Sequence, residues 1–99
     1  GCEAEPSQNY WLRVFPLPPR FGYIAIKKLT RDLLGTDRDL VTGETNNEKR
    51  YALMCMSSKE VAEQLAQNVR GHQPSQGAEP LDAELYSEEE RQRKFGPLQ

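Results

Sequence analysis

Apolar and polar positions change period several times along this chain, and each change marks an element. Tyr10-Trp11-Leu12-Arg13-Val14-Phe15 is rich in aromatic and β-branched residues and stops at Pro16, which predicts a first strand. Leu17-Pro18-Pro19-Arg20 follows as an extended, proline-stiffened connection. From Phe21 the period becomes helical. Ile26, Leu29 and Leu33 recur at spacings of three and four, with Gly22 and Ala25 on the adjoining stripe. Lys27, Lys28, Arg31 and Asp32 fall largely on the other side, and the pattern ends near Gly35. Residues 36–49 carry two patterns. Thr36 can cap a short helix over 37–41, or Leu40–Thr45 is a strand that turns at Asn46-Asn47 into the next one. The turn signal favours the hairpin.

Tyr51-Ala52-Leu53-Met54-Cys55-Met56 is a continuous apolar run between polar flanks, the pattern of a strand buried on both faces and central in its sheet. Ser57-Ser58-Lys59-Glu60 then predicts a capped helix start, with Ser57 accepting from the Glu60 amide. Val61, Leu65 and Val69, with Ala62 and Ala66, form its apolar stripe, and Gly71 stops it. Residues 72–80 hold Pro74, Ser75, Gly77 and Pro80 and predict a linker. Beyond it, Ser87-Glu88-Glu89-Glu90 is a second capping box, opening a polar helix with Leu81, Leu85, Tyr86 and Phe95 as its apolar anchors.

The elements add up to an α+β chain, a small two-layer α/β sandwich in the order strand, helix, hairpin or short helix, strand, helix, with an acidic C-terminal tail helix. The expected organisation is a flexible tether over 1–9, a core domain over 10–71, a linker over 72–80 and an acidic tail over 81–99. Ninety-nine residues make one domain of ordinary size, and mean hydropathy of −0.80 indicates that part of the chain adds little to a core.

Two stretches resemble known families. Ala25-Ile26-Lys27-Lys28-Leu29-Thr30-Arg31-Asp32-Leu33-Leu34-Gly35, then Asp39-Leu40-Val41, is similar to the first helical hairpin of the ribosomal stalk protein's C-terminal domain. Tyr51–Met56 followed by Lys59-Glu60-Val61-Ala62-Glu63 resembles the final strand and helix of the Clp protease adaptor. The two families share a fold, and the resemblance implies that fold for about residues 10–71. The adaptor family reads N-terminal degrons with an acidic cluster after its first strand. This chain has Pro16-Leu17-Pro18-Pro19-Arg20 there, so no degron-binding residue carries over.

Net charge of −2 counts against a strongly basic nucleic-acid binder. Residues 11–50 are nonetheless net +3 and residues 72–99 net −3, so a basic middle faces acidic ends. The only histidine, His72, lies in a loop-like context, and Cys2 and Cys55 are far apart in sequence. No local spacing makes a metal site, a nucleophilic triad or a phosphate-cradling loop, so no enzyme and no cofactor is expected. Cys55 reads as a buried small hydrophobe.

Gly1 and Cys2 are candidate lipid acceptors, although Glu5 stands where the acylation signal has Ser or Thr. Lipidation would tether to a membrane a chain otherwise expected in the cytoplasm. Arg13-x-x-Pro16-x-x-Pro19 matches a polyproline ligand pattern. Trp11, Phe15, Arg20, Phe21, Tyr23, Lys27 and Lys28 interleave aromatic and basic residues, as stacking surfaces for single strands do. The first expectation is a non-catalytic protein-interaction adaptor, a small subunit of a larger complex, contacting another protein through Leu85, Tyr86, Phe95, Arg20, Lys27 and Lys28. The alternatives are a single-stranded RNA or ribonucleoprotein binder using the basic-aromatic segment 11–31, and an accessory subunit of an enzyme without its own active site.

Overall fold

In the computed structural model, which describes residues 9–96, the elements run β1 (Tyr10–Phe15), α1 (Tyr23–Leu34), β2 (Leu40–Asn46), β3 (Tyr51–Met56), α2 (Lys59–Val69), β4 (Asp82–Ser87) and α3 (Glu88–Phe95). The four strands form one sheet in the order β2-β3-β1-β4, with every neighbouring pair antiparallel. β1 and β2 therefore run parallel with β3 between them, and β3 and β4 run parallel with β1 between them. The architecture is two interleaved β-α-β units.

Alternation along each strand divides the side chains between two layers. Leu12, Val14, Ala52, Met54, Met56 and Ala83 point toward α1 and α2 and form the main core with Ile26, Leu29, Ala62, Leu65, Ala66 and Val69. Trp11, Leu53, Cys55 and Tyr86 point the other way and form a second, smaller cluster against α3. β3 is internal and apolar on both sides for this reason: the helix pair covers one face and α3 the other. Gly43 marks a close approach of α1 to the sheet. A Cβ there would stand 3.2 Å from Ile26 Cδ1 and 3.3 Å from Leu53 O.

The helix boundaries follow from local chemistry. α1 ends at Gly35, whose φ of 85° lets its N–H reach Arg31 O at 2.8 Å. The cap of α2 is Ser58, one residue later than the sequence pattern predicts, and it accepts from Val61 N at 3.3 Å. Ser87 and Glu90 make the predicted capping box of α3 in both directions, at 3.2 and 2.9 Å. The stretch 36–49 resolves as the hairpin, closed by Asn46 Oδ1 accepting from Lys49 N at 2.9 Å.

The C-terminal third differs from expectation. Residues 72–80 do not join a core to a loose tail, because Asp82–Ser87 is an edge strand fully paired to β1. Leu81 is buried, and its backbone exchanges hydrogen bonds with Gly71 and His72 at 2.8 Å each. The expected tail helix begins only at Glu88. Leu81, Ala83 and Leu85 alternate with Asp82, Glu84 and Tyr86, a period-two pattern whose outer positions are mostly charged. Gly1, Cys2 and most of the expected N-terminal tether lie outside the described residues, as does the lipidation expectation. No described helix is long and apolar enough to cross a membrane.

Candidate functional site

The outer face of the sheet, away from α1 and α2, carries the unusual chemistry. The strand register sets its side chains in rows. Trp11 of β1 lies between Cys55 of β3 and Tyr86 of β4, with Thr42 beyond on β2. Arg13 lies between Leu53 and Glu84, with Glu44 beyond. Phe15 neighbours Asp82, and Tyr51 neighbours Asn46, at the far end of the face. Four aromatic rings and an arginine thus occupy the two central strands and one edge.

The face is covered from its own chain. Trp11 Nε1 donates to Glu88 Oε1 at 2.5 Å, and the Arg91 guanidinium sits 4.7 Å above the indole ring. Phe95 meets Tyr51 at 5.5 Å and, edge-on, Tyr86 at 5.6 Å. Arg91 is 3% exposed. It donates to Gly96 O at 2.9 Å and Glu88 Oε2 at 3.2 Å, and its Nε has no hydrogen-bond partner. At the other end, Arg13 lies 4.3 Å over the Phe15 ring and 5.3 Å over Tyr51. One Glu84 oxygen accepts from both Arg13 and the Tyr86 hydroxyl. Arg13 Nε is likewise buried without a partner.

This packing shifts the local titrations. Burial first, then the Glu88 charge, pushes the Cys55 thiol to about 11, so it stays protonated and unreactive at neutral pH. Burial and then the bond to Glu84 raise the Tyr86 hydroxyl to about 12. The hydrogen bond from Trp11, with those from Gln92 and Arg91, holds the Glu88 carboxyl below its ordinary value. Among the described residues no group of three or more His, Cys, Asp or Glu is placed to hold a metal ion.

The residues singled out from sequence divide between layers. Tyr86 and Phe95 lie on the outer face and touch each other. Leu85 packs against the opposite, helix-side core. Lys27 and Lys28 are exposed on α1, in the other layer, where Lys28 pairs with Asp32 at 3.0 Å. Arg20 is exposed in the β1–α1 connection. The basic-aromatic segment 11–31 is thus not one surface: Trp11 and Phe15 reach the outer face, Phe21 is core, and Tyr23 begins α1. Arg13 belongs to an internal strand, so it cannot join Pro16 and Pro19 in an extended polyproline ligand.

No family model matches the chain, and no curated protein does either. Solved structures do. The RRM domain of S. pombe Puf1 superposes with a TM-score of 0.69 at 16% identity, over 81% of this chain and 92% of that one. The first two RRM domains of yeast poly(U) binding protein (Pub1) give 0.61 at 12% identity, over 86% of this chain and 52% of that one. Yeast Prp24-RRM2 bound to a fragment of U6 RNA gives 0.50 at 18% identity, over 83% and 91%.

These likenesses correct the expected resemblance to the Clp adaptor and stalk domain. The helical stripes behind that resemblance suit any two-layer α/β packing, whereas the whole four-stranded arrangement superposes on RRM domains. The expected protein-protein adaptor is corrected with it, since the solved structures that match are RRM domains. Of the outer-face aromatics on the central strands, Trp11 and Phe15 entered only through the single-stranded RNA alternative, and Tyr51 was in no expected site. A sequence signal for Tyr51 exists: Lys49-Arg50-Tyr51-Ala52-Leu53-Met54-Cys55-Met56 follows the K/R-G-F/Y-G/A-F-V-x-F/Y pattern of the RRM's third strand at Lys49, Tyr51 and Ala52. It departs at Arg50, Leu53, Met54 and Met56. By strand order, register and likeness to solved structures, the fold of this chain is that of an RNA-recognition motif domain.

Proposed function

We propose that this protein binds single-stranded RNA on the outer face of its sheet. The observation that carries the reading is the clustering of Trp11, Phe15, Tyr51 and Tyr86 on one face of an RRM-fold sheet, around Arg13. In RRM sheets, aromatic side chains on the two central strands stack bases, and each stacked base contributes about 1–3 kcal/mol. Trp11 and Phe15 on β1 and Tyr51 on β3 stand on those strands. The solved neighbour Prp24-RRM2, which carries an RNA fragment, supports the same direction.

The charge on this face sets the balance of forces. Glu44, Asp82 and Glu84 share it with Arg13, so phosphate attraction is weak and stacking dominates. Each phosphate contact on a single strand contributes about −0.7 to the slope of log affinity against log salt, and one or two contacts here give a slope of about −1.

The test is a titration of fluorescein-labelled ten-nucleotide RNA of randomised sequence, followed by anisotropy. Phe15→Ala with Tyr51→Ala is expected to weaken binding about tenfold to a hundredfold, from the loss of one or two stacked bases. Lys27→Glu with Lys28→Glu is expected to leave it within about twofold, since rim charges far from the contact matter little. Equal affinity in the aromatic variant would overturn the reading, as would a loss confined to the lysine variant.

A further inference from the structure

We infer that α3 is a displaceable cover on the RNA face, and that its docking regulates how many bases the face accepts. The inference rests on the RNA reading above. It comes from what α3 puts where. The Arg91 guanidinium lies 4.7 Å from the centre of the Trp11 ring, and Phe95 packs against Tyr86 and one side of Tyr51, so α3 side chains occupy positions that bases would take on Trp11 and Tyr86. Trp11 is 3% exposed and Tyr86 8% exposed while α3 is docked. Phe15, at the far end, is half-buried under Arg13, and Tyr51 is half-buried between Arg13 and Phe95. The docked protein therefore offers one end of its aromatic face and withholds the other.

The cover is built to be marginal. α3 is eight residues long, well under the roughly 12–15 that an isolated helix needs in water. Its sequence, Glu88-Glu89-Glu90-Arg91-Gln92-Arg93-Lys94-Phe95, is polar apart from the last residue. Its hold on the sheet is the Glu88–Trp11 hydrogen bond, Arg91 over Trp11, Lys94 at 5.7 Å over the Tyr86 ring, and Phe95. Arg91 is buried with its Nε unpaired, a cost that undocking removes. The capping box holds α3 to β4 but not to the sheet face, so the helix can swing away while β4 stays paired. When a face is competent only while uncovered, apparent affinity falls by the uncovered fraction, and loosening the cover restores it.

The experiment uses the full chain with Cys2→Ser, so that Cys55, buried beneath α3, is the one thiol left. Thiol labelling of Cys55 reports opening of α3. Randomised RNAs of four and ten nucleotides report the size of the accepting face. Arg91→Ala with Phe95→Ala is expected to speed Cys55 labelling and to raise affinity for the ten-nucleotide RNA about tenfold, with little change for the four-nucleotide RNA. The gain runs against charge, since the variant loses a cation that RNA would attract. If labelling accelerates while ten-nucleotide affinity is unchanged or falls, α3 is a fixed part of the binding surface, and the cover is wrong while RNA binding stands. If labelling stays at the parent rate, α3 does not control access to the face, and the inference fails in the same way. If neither protein binds either RNA although Cys55 labels quickly, the RNA reading itself fails and the cover falls with it.

Discussion

Arg50 holds a backbone conformation that a side chain disfavours, and its own side chain helps keep it there. Its φ is 61°, at the position where the RRM strand pattern has glycine. The guanidinium donates through Nε to Leu17 O at 3.0 Å and through NH2 to Glu79 at 2.8 Å, while its carbonyl accepts from Leu17 N at 3.0 Å. These bonds tie the β2–β3 turn to the proline-rich connection after β1. Arg50→Ala keeps the unfavourable φ and loses both side-chain bonds, so a loss of about 1–2 kcal/mol is expected in urea unfolding. Arg50→Gly loses the same bonds but relieves the backbone, and about half that loss is expected. If glycine is as costly as alanine, the backbone strain is not significant. At the same scale, Trp11 and Tyr51 show how little a single aromatic says before folding. Each lies in an apolar run, and only the strand register places the two on one face.

α3 is the element whose state depends most on conditions. Glu88 joins Trp11, Arg91 and Gln92, and its carboxyl is held below the ordinary value of 4.5, first by the Trp11 bond. A carboxyl depressed in the docked state stabilises docking above its free value. That contribution is lost as pH falls through the docked value. Arg91 on the same helix is the charged group beside it, and the Cys55 thiol beneath stays neutral. Acidification through and below the ordinary carboxyl value of 4.5 is therefore expected to undock α3 before the domain unfolds. Trp11 is the only tryptophan in the chain, so its emission maximum follows the change directly. Glu88→Gln should flatten the early step. A single transition at one pH for Trp11 emission and backbone circular dichroism would show that α3 and the domain melt together.

For the whole molecule, the two apolar clusters carry different free energies. The helix-side core joins both long helices to all three strands of greatest burial, whereas the outer cluster joins the sheet to one short helix. Leu65 is fully buried in the first. Leu65→Ala is expected to cost about 2–4 kcal/mol, a large share of the roughly 5–10 available to a domain of this size. Phe95→Ala, in the second, is expected to shift global unfolding by less than about 1 kcal/mol, because a partly exposed ring at the end of a short helix loses little on truncation. Comparable losses from the two would mean that the clusters unfold as one unit and that α3 is integral to the fold.

Local chemistry sufficed for the elements that carry their own instructions. Ile26, Leu29 and Leu33 spaced on one stripe, the Asn46 turn, and the Ser87–Glu90 box are interactions within a few residues, so they survive in any tertiary setting. The apolar run Tyr51–Met56 likewise signalled a strand buried on both faces. β4 was hidden because its alternation of Leu81, Ala83 and Leu85 with Asp82, Glu84 and Tyr86 is short. Its capping-box neighbour extended the helical pattern over it. The site was hidden for a deeper reason. Trp11, Tyr51, Tyr86 and Phe95 are up to 84 residues apart in sequence. They meet because the order β2-β3-β1-β4 interleaves early and late strands, and because β4 delivers α3 onto the face. Strand order depends on which pairings bury the most apolar surface across the whole sheet. No local window contains that sum, so only the tertiary structure decided that these rings share a face and that the chain covers it.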